Sequence, residues 1–346
     1  MKPGIFILCI FAFLSIALGA APPIPMSPVM APDQLLTETN SNLRVQIVRE
    51  DHGKTRGVIG LPIRVYTNDP KKPAKIVSTD AEGHADFGAC SAWSGEIRVS
   101  ALMENTKFSV GTGFQSYQID AKARCGRITF QQGETTDVGQ ALAIWEIAQR
   151  AMTKLEATVG LDFWKRPIGF AWPQDFDFYD GYQVHLRYGH HWDVATHEMA
   201  HAIYDQAAIG EMPNYKHYID RCHDETIAMA EGWAHFFAAW VNLDVSAADP
   251  VLEHYSPRRG PIHFETVPRD VCKGPSNEWR VLAYLWDIHD ANADGETLNE
   301  SFARTFKSIQ GKDLQSIRDA IRWFKEAEID EKALDALWVS VFQTQQ

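Results

Sequence analysis

The sequence predicts a multidomain protein, an N-terminal β-sandwich followed by an α+β domain with a helical C-terminal part. Three observations lead there. Residues 43–131 hold seven short stretches in which apolar and polar side chains mostly alternate, as strands with one buried face require. From residue 137 onward apolar residues recur mainly at helical spacing. A length of 346 residues with 45% hydrophobic side chains is enough to fill two cores.

Residues 5–18 form an apolar run that follows Lys2 and ends in Ala17-Leu18-Gly19-Ala20. This pattern predicts a signal peptide over residues 1–20 and a secreted or periplasmic protein, with no integral membrane span once the leader is cleaved. Residues 21–42, with Pro22, Pro23, Pro25, Pro28 and Pro32 before a polar run, read as an extended spacer for which no fold is expected. A formal net charge of −12 argues against nucleic acid and anionic membranes as partners. Outside the leader stand Cys90, Cys125, Cys222 and Cys272, an even set that predicts two disulfides in an exported chain. Three pairings are possible in principle. Cys90 with Cys125 and Cys222 with Cys272 are expected, because a cross-domain bond would demand one fixed docking pose.

The sandwich, residues 43–131, is read from strands over 43–47, 59–66, 75–77, 96–99, 108–110, 117–119 and 127–130. Turn signals separate them, among them Asp51-His52-Gly53 and Asp80-Ala81-Glu82-Gly83.

The second domain, residues 137–346, opens on a helix marked by Trp145, Ala148, Met152, Leu155 and Val159 and ended by Gly160. Strands over 167–172 and 182–188 follow. Asp193 can then cap a helix over 194–206, which contains no Pro or Gly. On it His197 and His201 lie four residues apart and share a face, with Glu198 beside them, a zinc-and-base pattern. A third ligand should come from another helix. The apolar helix over 224–238 carries Glu231 and His235 one turn apart, and either would be costly to bury without a partner.

With these residues the chain resembles the gluzincin zinc peptidases, the thermolysin-like group, in which one helix carries two His ligands and a later helix a Glu ligand. The resemblance implies a zincin-like domain with zinc on His197, His201 and Glu231, and peptide-bond hydrolysis by Glu198-assisted attack of zinc-bound water. Glu231 is favoured over His235 because a carboxylate offsets part of the dication's charge, and Gly232 would let the two helices approach. His235 stands where the group has an Asp, and is expected to orient a ligand or line the cleft. Tyr255, His263 and His289 are candidates for stabilising the oxyanion. The strand over 182–188 corresponds to the edge on which such enzymes lay a peptide. In the first domain, residues 61–66 and 79–87 resemble the transthyretin-like or carboxypeptidase-regulatory-like sandwich, which implies a module for folding or partner recognition.

Asp290, Asn292 and Asp294 copy the first half of an EF-hand loop and could form a weak Ca2+ site, although Ser301 stands where the closing Glu belongs. Helices are expected over 277–289, 298–309, 314–325 and 331–342. The sequence thus points to an exported zinc metallopeptidase acting on peptides or proteins. Endopeptidase activity is expected, since Met103-Glu104-Asn105, an echo of the aminopeptidase anchor for a substrate's amino terminus, lies far from His197. The alternatives are a zinc aminopeptidase and an exported binding protein with a structural or silent zinc site. Glu198 speaks for an enzyme, because a structural site has no need of a base.

Overall fold

The alternating stretches of the first third become eleven strands in the computed structural model, which describes residues 29–67, 72–113, 115–212, 216–255, 260–292, 295 and 297–344. They are β1 (Val29–Met30), β2 (Gln34–Glu38), β3 (Asn42–Asp51), β4 (Lys54–Gly57), β5 (Pro62–Tyr66), β6 (Lys75–Ser78), β7 (His84–Ala89), β8 (Glu96–Leu102), β9 (Phe108–Gly111), β10 (Gln118–Arg124) and β11 (Arg127–Gln132). One sheet runs β1-β10-β8-β5-β6, and a second runs β2-β11-β3-β4 with β7 also paired to β3. The period of two does what it predicts. Leu43, Val45 and Ile47 of β3 are fully buried, and Val45 and Ile47 lie in register with Ile128 and Phe130 of β11. Inward residues of both sheets join one hydrophobic cluster. A disulfide ties Cys90 to Cys125, with their Cα atoms 5.6 Å apart.

Two features depart from the sequence reading. The expected spacer is not featureless where it is described: Val29–Met30 pairs with β10, and Gln34–Glu38 pairs antiparallel with β11. β2 is exposed along its whole length. Its pairing uses backbone groups alone, and a strand that buries no side chain leaves no periodic trace in sequence. The leader and residues 21–28 lie outside the described residues. The second departure is β9, which pairs in parallel with the strand over Ile168–Ala171 in the C-terminal half. Phe108 turns its ring to Trp145, 4.7 Å between centroids, and to Phe170.

The rest of the chain forms α1 (Asp137–Thr158), β12 (Ile168–Ala171), β13 (Phe178–Tyr179), β14 (Gln183–His185), α2 (Trp192–Gln206), α3 (Glu225–Asn242), β15 (Val251–Leu252), β16 (Ile262–His263), α4 (Glu278–His289), α5 (Phe302–Ile309), α6 (Ile317–Glu326) and α7 (Glu331–Phe342). The third sheet has the order β13-β14-β12-β9. The strand before the histidine helix is therefore interior, not the edge the sequence suggested. A turn at Asp180-Gly181 folds β13 back over it: Asp180 Oδ1 accepts from the Tyr182 and Gln183 amides at 2.8 and 2.7 Å, and Gly181 has φ +91°. On this side the sheet ends in the two-residue β13, and on the other in β9.

α3 is apolar nearly all round and buried from Ile227 to Val241, so it occupies the centre of the half, between α2 and α4. Gly232 permits one of these contacts, though with α4 and not with α2 as the sequence suggested. A Cβ there would lie 2.5 Å from Val281 Cβ and 2.8 Å from the Glu278 carbonyl oxygen. Cys222 is bonded to Cys272, closing the loop ahead of α3 onto the chain that enters α4. Among the described residues no helix is long and apolar enough to cross a membrane.

Candidate metal centre

α2 starts two residues earlier than expected, at Trp192 and not at 194. His191 occupies the N-cap without a side-chain bond, and Asp193 lies in the first turn. Asp193 instead anchors a distant loop. Its Oδ2 accepts from the His254 and Tyr255 amides at 2.6 and 3.3 Å, and its Oδ1 lies 3.0 Å from His254 Nδ1. Burial alone would raise the Asp193 carboxyl, but the hydrogen bonds from His254 bring it below its ordinary value.

One turn further along α2, His197 and His201 point to the same place. Their Nε2 atoms are 3.1 Å apart, and Glu231 Oε2 from α3 lies 3.0 Å from the first and 3.3 Å from the second. All three side chains are buried. Three ligand atoms about 3 Å apart, two of them imidazole nitrogens, are a set that could hold one metal ion. Burial drives His197 down to about 4, with the Glu231 hydrogen bond opposing. Burial opposes the charge on Glu231 as well, yet His201 and His197 hold its carboxyl well below the usual carboxylate range.

His235 does not join this triangle. It is fully buried behind His197, with its Nδ1 3.1 Å from the Nδ1 of that ring. Were His197 Nε2 to ligate a metal, its Nδ1–H would donate to His235, which would fix the ring's tautomer. Glu198, on the cleft side of α2, lines a cavity of about 550 Å³ shared with Tyr255, His217, His254, Tyr188 and Phe176. Burial above all pushes the Glu198 carboxyl up to about 8. Tyr255 packs its ring 5.0 Å from that of His197 and 4.1 Å from that of His235. Burial, then the carboxylates of Glu278, Glu231 and Glu198, raise its hydroxyl well above the ordinary value, so it stays protonated and able to donate.

The other two oxyanion candidates have partners elsewhere. His263, in β16 where it pairs with β15, lies 2.9 Å from the Asp249 carboxylate. His289 is buried with its Nδ1 2.7 Å from the Leu285 carbonyl and its Nε2 2.7 Å from Thr305 Oγ1, against Phe236. Neither lines the cleft. In the EF-hand-like loop, Asn292 donates its side-chain amide to the Ala247 carbonyl at 2.6 Å, and Asp290 Oδ2 accepts from the Asn292 amide at 3.3 Å. Asp294 lies outside the described residues.

Two residues at the centre were not anticipated. His217 reaches in from the loop ahead of α3, and Glu278 is buried in the first turn of α4. They are 61 positions apart, and His217 Nδ1 lies 2.8 Å from Glu278 Oε2. Nothing local marks either: a Glu just after Asn277 reads as an ordinary helix start, and a lone His in a loop has no period.

A family profile described as the mycolysin C-terminal domain matches residues 166–338, half of the chain and the stretch that holds α2, α3 and α4. The chain belongs to this family. Mycolysin-type domains are found in thermolysin-like metalloproteases, and membership points to a metalloprotease with peptide or protein substrates. The mycolysin match covers every residue of the His197, His201 and Glu231 triangle, and it leaves the N-terminal sheets outside. No curated protein matches the chain significantly.

Proposed function

We propose that this protein is an exported zinc-dependent endopeptidase, with His197, His201 and Glu231 as zinc ligands, Glu198 as general base and Tyr255 as oxyanion donor. One observation carries the reading: two Nε2 atoms and one carboxylate oxygen lie 3.0–3.3 Å apart, beside Tyr255 and His217, which line the same cleft as Glu198. A tetrahedral site with bonds of about 2.0–2.1 Å has its ligand atoms about 3.3 Å apart. Two imidazoles and a carboxylate, without a thiolate, are also the donor set of catalytic zinc. The residues therefore fit the ion.

Bound zinc would supply Lewis-acid polarisation of the scissile carbonyl and a water acidic enough to react near neutrality. The protein's own groups do the rest. Glu198 takes a proton from the attacking water and passes it to the leaving amine, a role that suits a carboxyl whose burial raises its proton affinity. Tyr255 donates its hydroxyl proton towards the oxygen that gains charge, and Asp193 holds the start of its loop in place. Phe176, Tyr188 and Tyr255 give the cleft aromatic surface against which side chains of an extended peptide would pack.

The test is metal analysis of the purified mature chain together with cleavage of an unfolded protein, with and without a chelator. One zinc per chain and chelator-sensitive internal cleavage are expected. Bound zinc without cleavage would leave a binding protein with a silent site, and trimming from the amino terminus alone would make it an aminopeptidase.

A further inference from the structure

The two oxygens of Glu231 have different partners. Oε2 faces His197 and His201 at 3.0 and 3.3 Å, while Oε1 lies 3.4 Å from Nε2 of His217. The other nitrogen of that ring, Nδ1, lies 2.8 Å from Oε2 of Glu278. A single imidazole thus stands between two carboxylates, one on each nitrogen. Only one of those carboxylates belongs to the triangle.

The surroundings make this imidazole a fixed strut. Glu278 is fully buried and cannot swing to solvent. Asn277, the N-cap of α4, donates both protons of its side-chain amide back to the loop, to the carbonyls of Ile219 and Arg221 at 2.9 Å each. The His223 amide donates to the Ser276 carbonyl at 2.7 Å, and the Cys222–Cys272 disulfide closes the same loop. Gly232, next to Glu231, admits the first turn of α4 to van der Waals contact with α3. The loop, α3 and α4 are therefore locked together around one ring.

We infer that His217, oriented by Glu278, is a positioning residue that holds Oε1 of Glu231, so that this carboxylate presents Oε2 alone to the metal. The inference rests on the zinc reading above. A carboxylate held by one oxygen has its rotamer chosen before the metal arrives, and it cannot swing to chelate with both oxygens and occupy the position a substrate needs. The same three side chains could instead be read as a second metal site, since they also come within reach of one ion. The geometry favours the strut, because the two carboxylates face opposite nitrogens of the ring, Glu278 at hydrogen-bond distance and Glu231 at ion-pair distance, and an ion could use only one nitrogen.

The experiment measures zinc affinity of the mature chain by competition with a chromophoric chelator, and the visible spectrum of the cobalt-substituted protein, which reports ligand geometry without turnover. His217→Leu should weaken zinc about 10- to 100-fold and shift the cobalt bands, the usual scale for a partner behind a ligand. His217→Gln, which keeps a donor for Glu231, should recover most of both. If His217→Leu does not fold, Glu278→Gln decides: a shifted spectrum with weaker zinc supports the strut, and wild-type values for both overturn it. Unchanged affinity and spectrum in a folded His217→Leu chain would likewise overturn it. Two zinc ions per wild-type chain, one of them lost in Glu278→Gln, would replace the strut by a second metal site. His197→Ala separates the two levels: if it binds zinc as tightly as wild type, the ligand set itself is wrong and the strut falls with it, whereas zinc lost there and retained in His217→Leu refutes the strut alone.

Discussion

At the scale of single residues, the centre combines groups that chemistry wants charged with surroundings that oppose charge. Glu198 shows the consequence. Changing it to Gln keeps the shape and removes the base, so zinc should stay bound while kcat falls about 10²- to 10⁴-fold. Metal content and turnover measured on one preparation check this, and undiminished turnover would take Glu198 out of the mechanism. Tyr255→Phe should cost about 10²- to 10³-fold in kcat with little change in zinc, the scale for losing one oxyanion donor. A pH effect belongs to the loop that carries Tyr255. The Asp193 hydrogen bond raises His254 above its ordinary 6.5, so this ring stabilises the fold fully below that value and the contribution fades as pH rises through the raised one. Asp193, lowered from 3.8, works in the opposite sense and contributes above that value, fading as pH falls through its own lowered one. The pair is thus worth most between about pH 4 and 6.5. Thermal unfolding midpoints across pH should decline above that window in wild type, and that slope should be missing in His254→Asn.

At the scale of elements, the site depends on three helices meeting, and α3 is the shared partner. Gly232→Ala tests how tightly. Its new Cβ would meet Val281 Cβ at 2.5 Å, which no rotamer change of Ala can relieve. The expected loss is about 1–3 kcal/mol, read from urea unfolding, the usual cost of overpacking a core. A neutral result would mean that α3 and α4 slide apart easily. Helices were the legible part of this level. Expected and observed bounds agree closely for the helix ended by Gly160, whose amide donates to the Leu155 carbonyl, and for the one carrying His197, while the Glu231 helix runs on past its expected end at 238 to Asn242. Strands of the C-terminal half were less legible, because β13 and β14 have two and three residues and the position of β14 in its sheet depends on a turn.

At the scale of the whole molecule, the two halves share more than a linker. β9 leaves the N-terminal sheets to pair with β12, Trp145 Nε1 donates to the Ile59 carbonyl at 3.0 Å, and Arg49 pairs with Glu146 of α1. A chain starting at residue 137 would lose β9 and expose the edge of β12. It would also bare Trp145, which is fully buried, packs on Phe108 and donates to the Ile59 carbonyl. Such a truncation should give little soluble protein and no zinc-binding fold, whereas the chain from residue 21 should give both. Soluble yield and near-ultraviolet circular dichroism decide it. A stable, metal-binding 137–346 fragment would mean that the halves are independent.

The sequence by itself determined what is local and periodic. The helix with His197, Glu198 and His201, the helix with Glu231, the Cys90–Cys125 and Cys222–Cys272 pairs and most strands of the first third follow from spacing, capping and composition within a few dozen residues. Only the tertiary structure decided what lies far apart in the chain and close in space. Tyr255, and not His263 or His289, faces His197, because Asp193 fixes the loop in which it stands. His235 lies behind a histidine of the triangle and not within it. His217 and Glu278 meet across 61 positions, at a contact made by helix packing and a disulfide-closed loop. No period or motif encodes such a pair: hydrogen bonds to a buried carboxylate act over about 3 Å of space, whatever the separation along the chain.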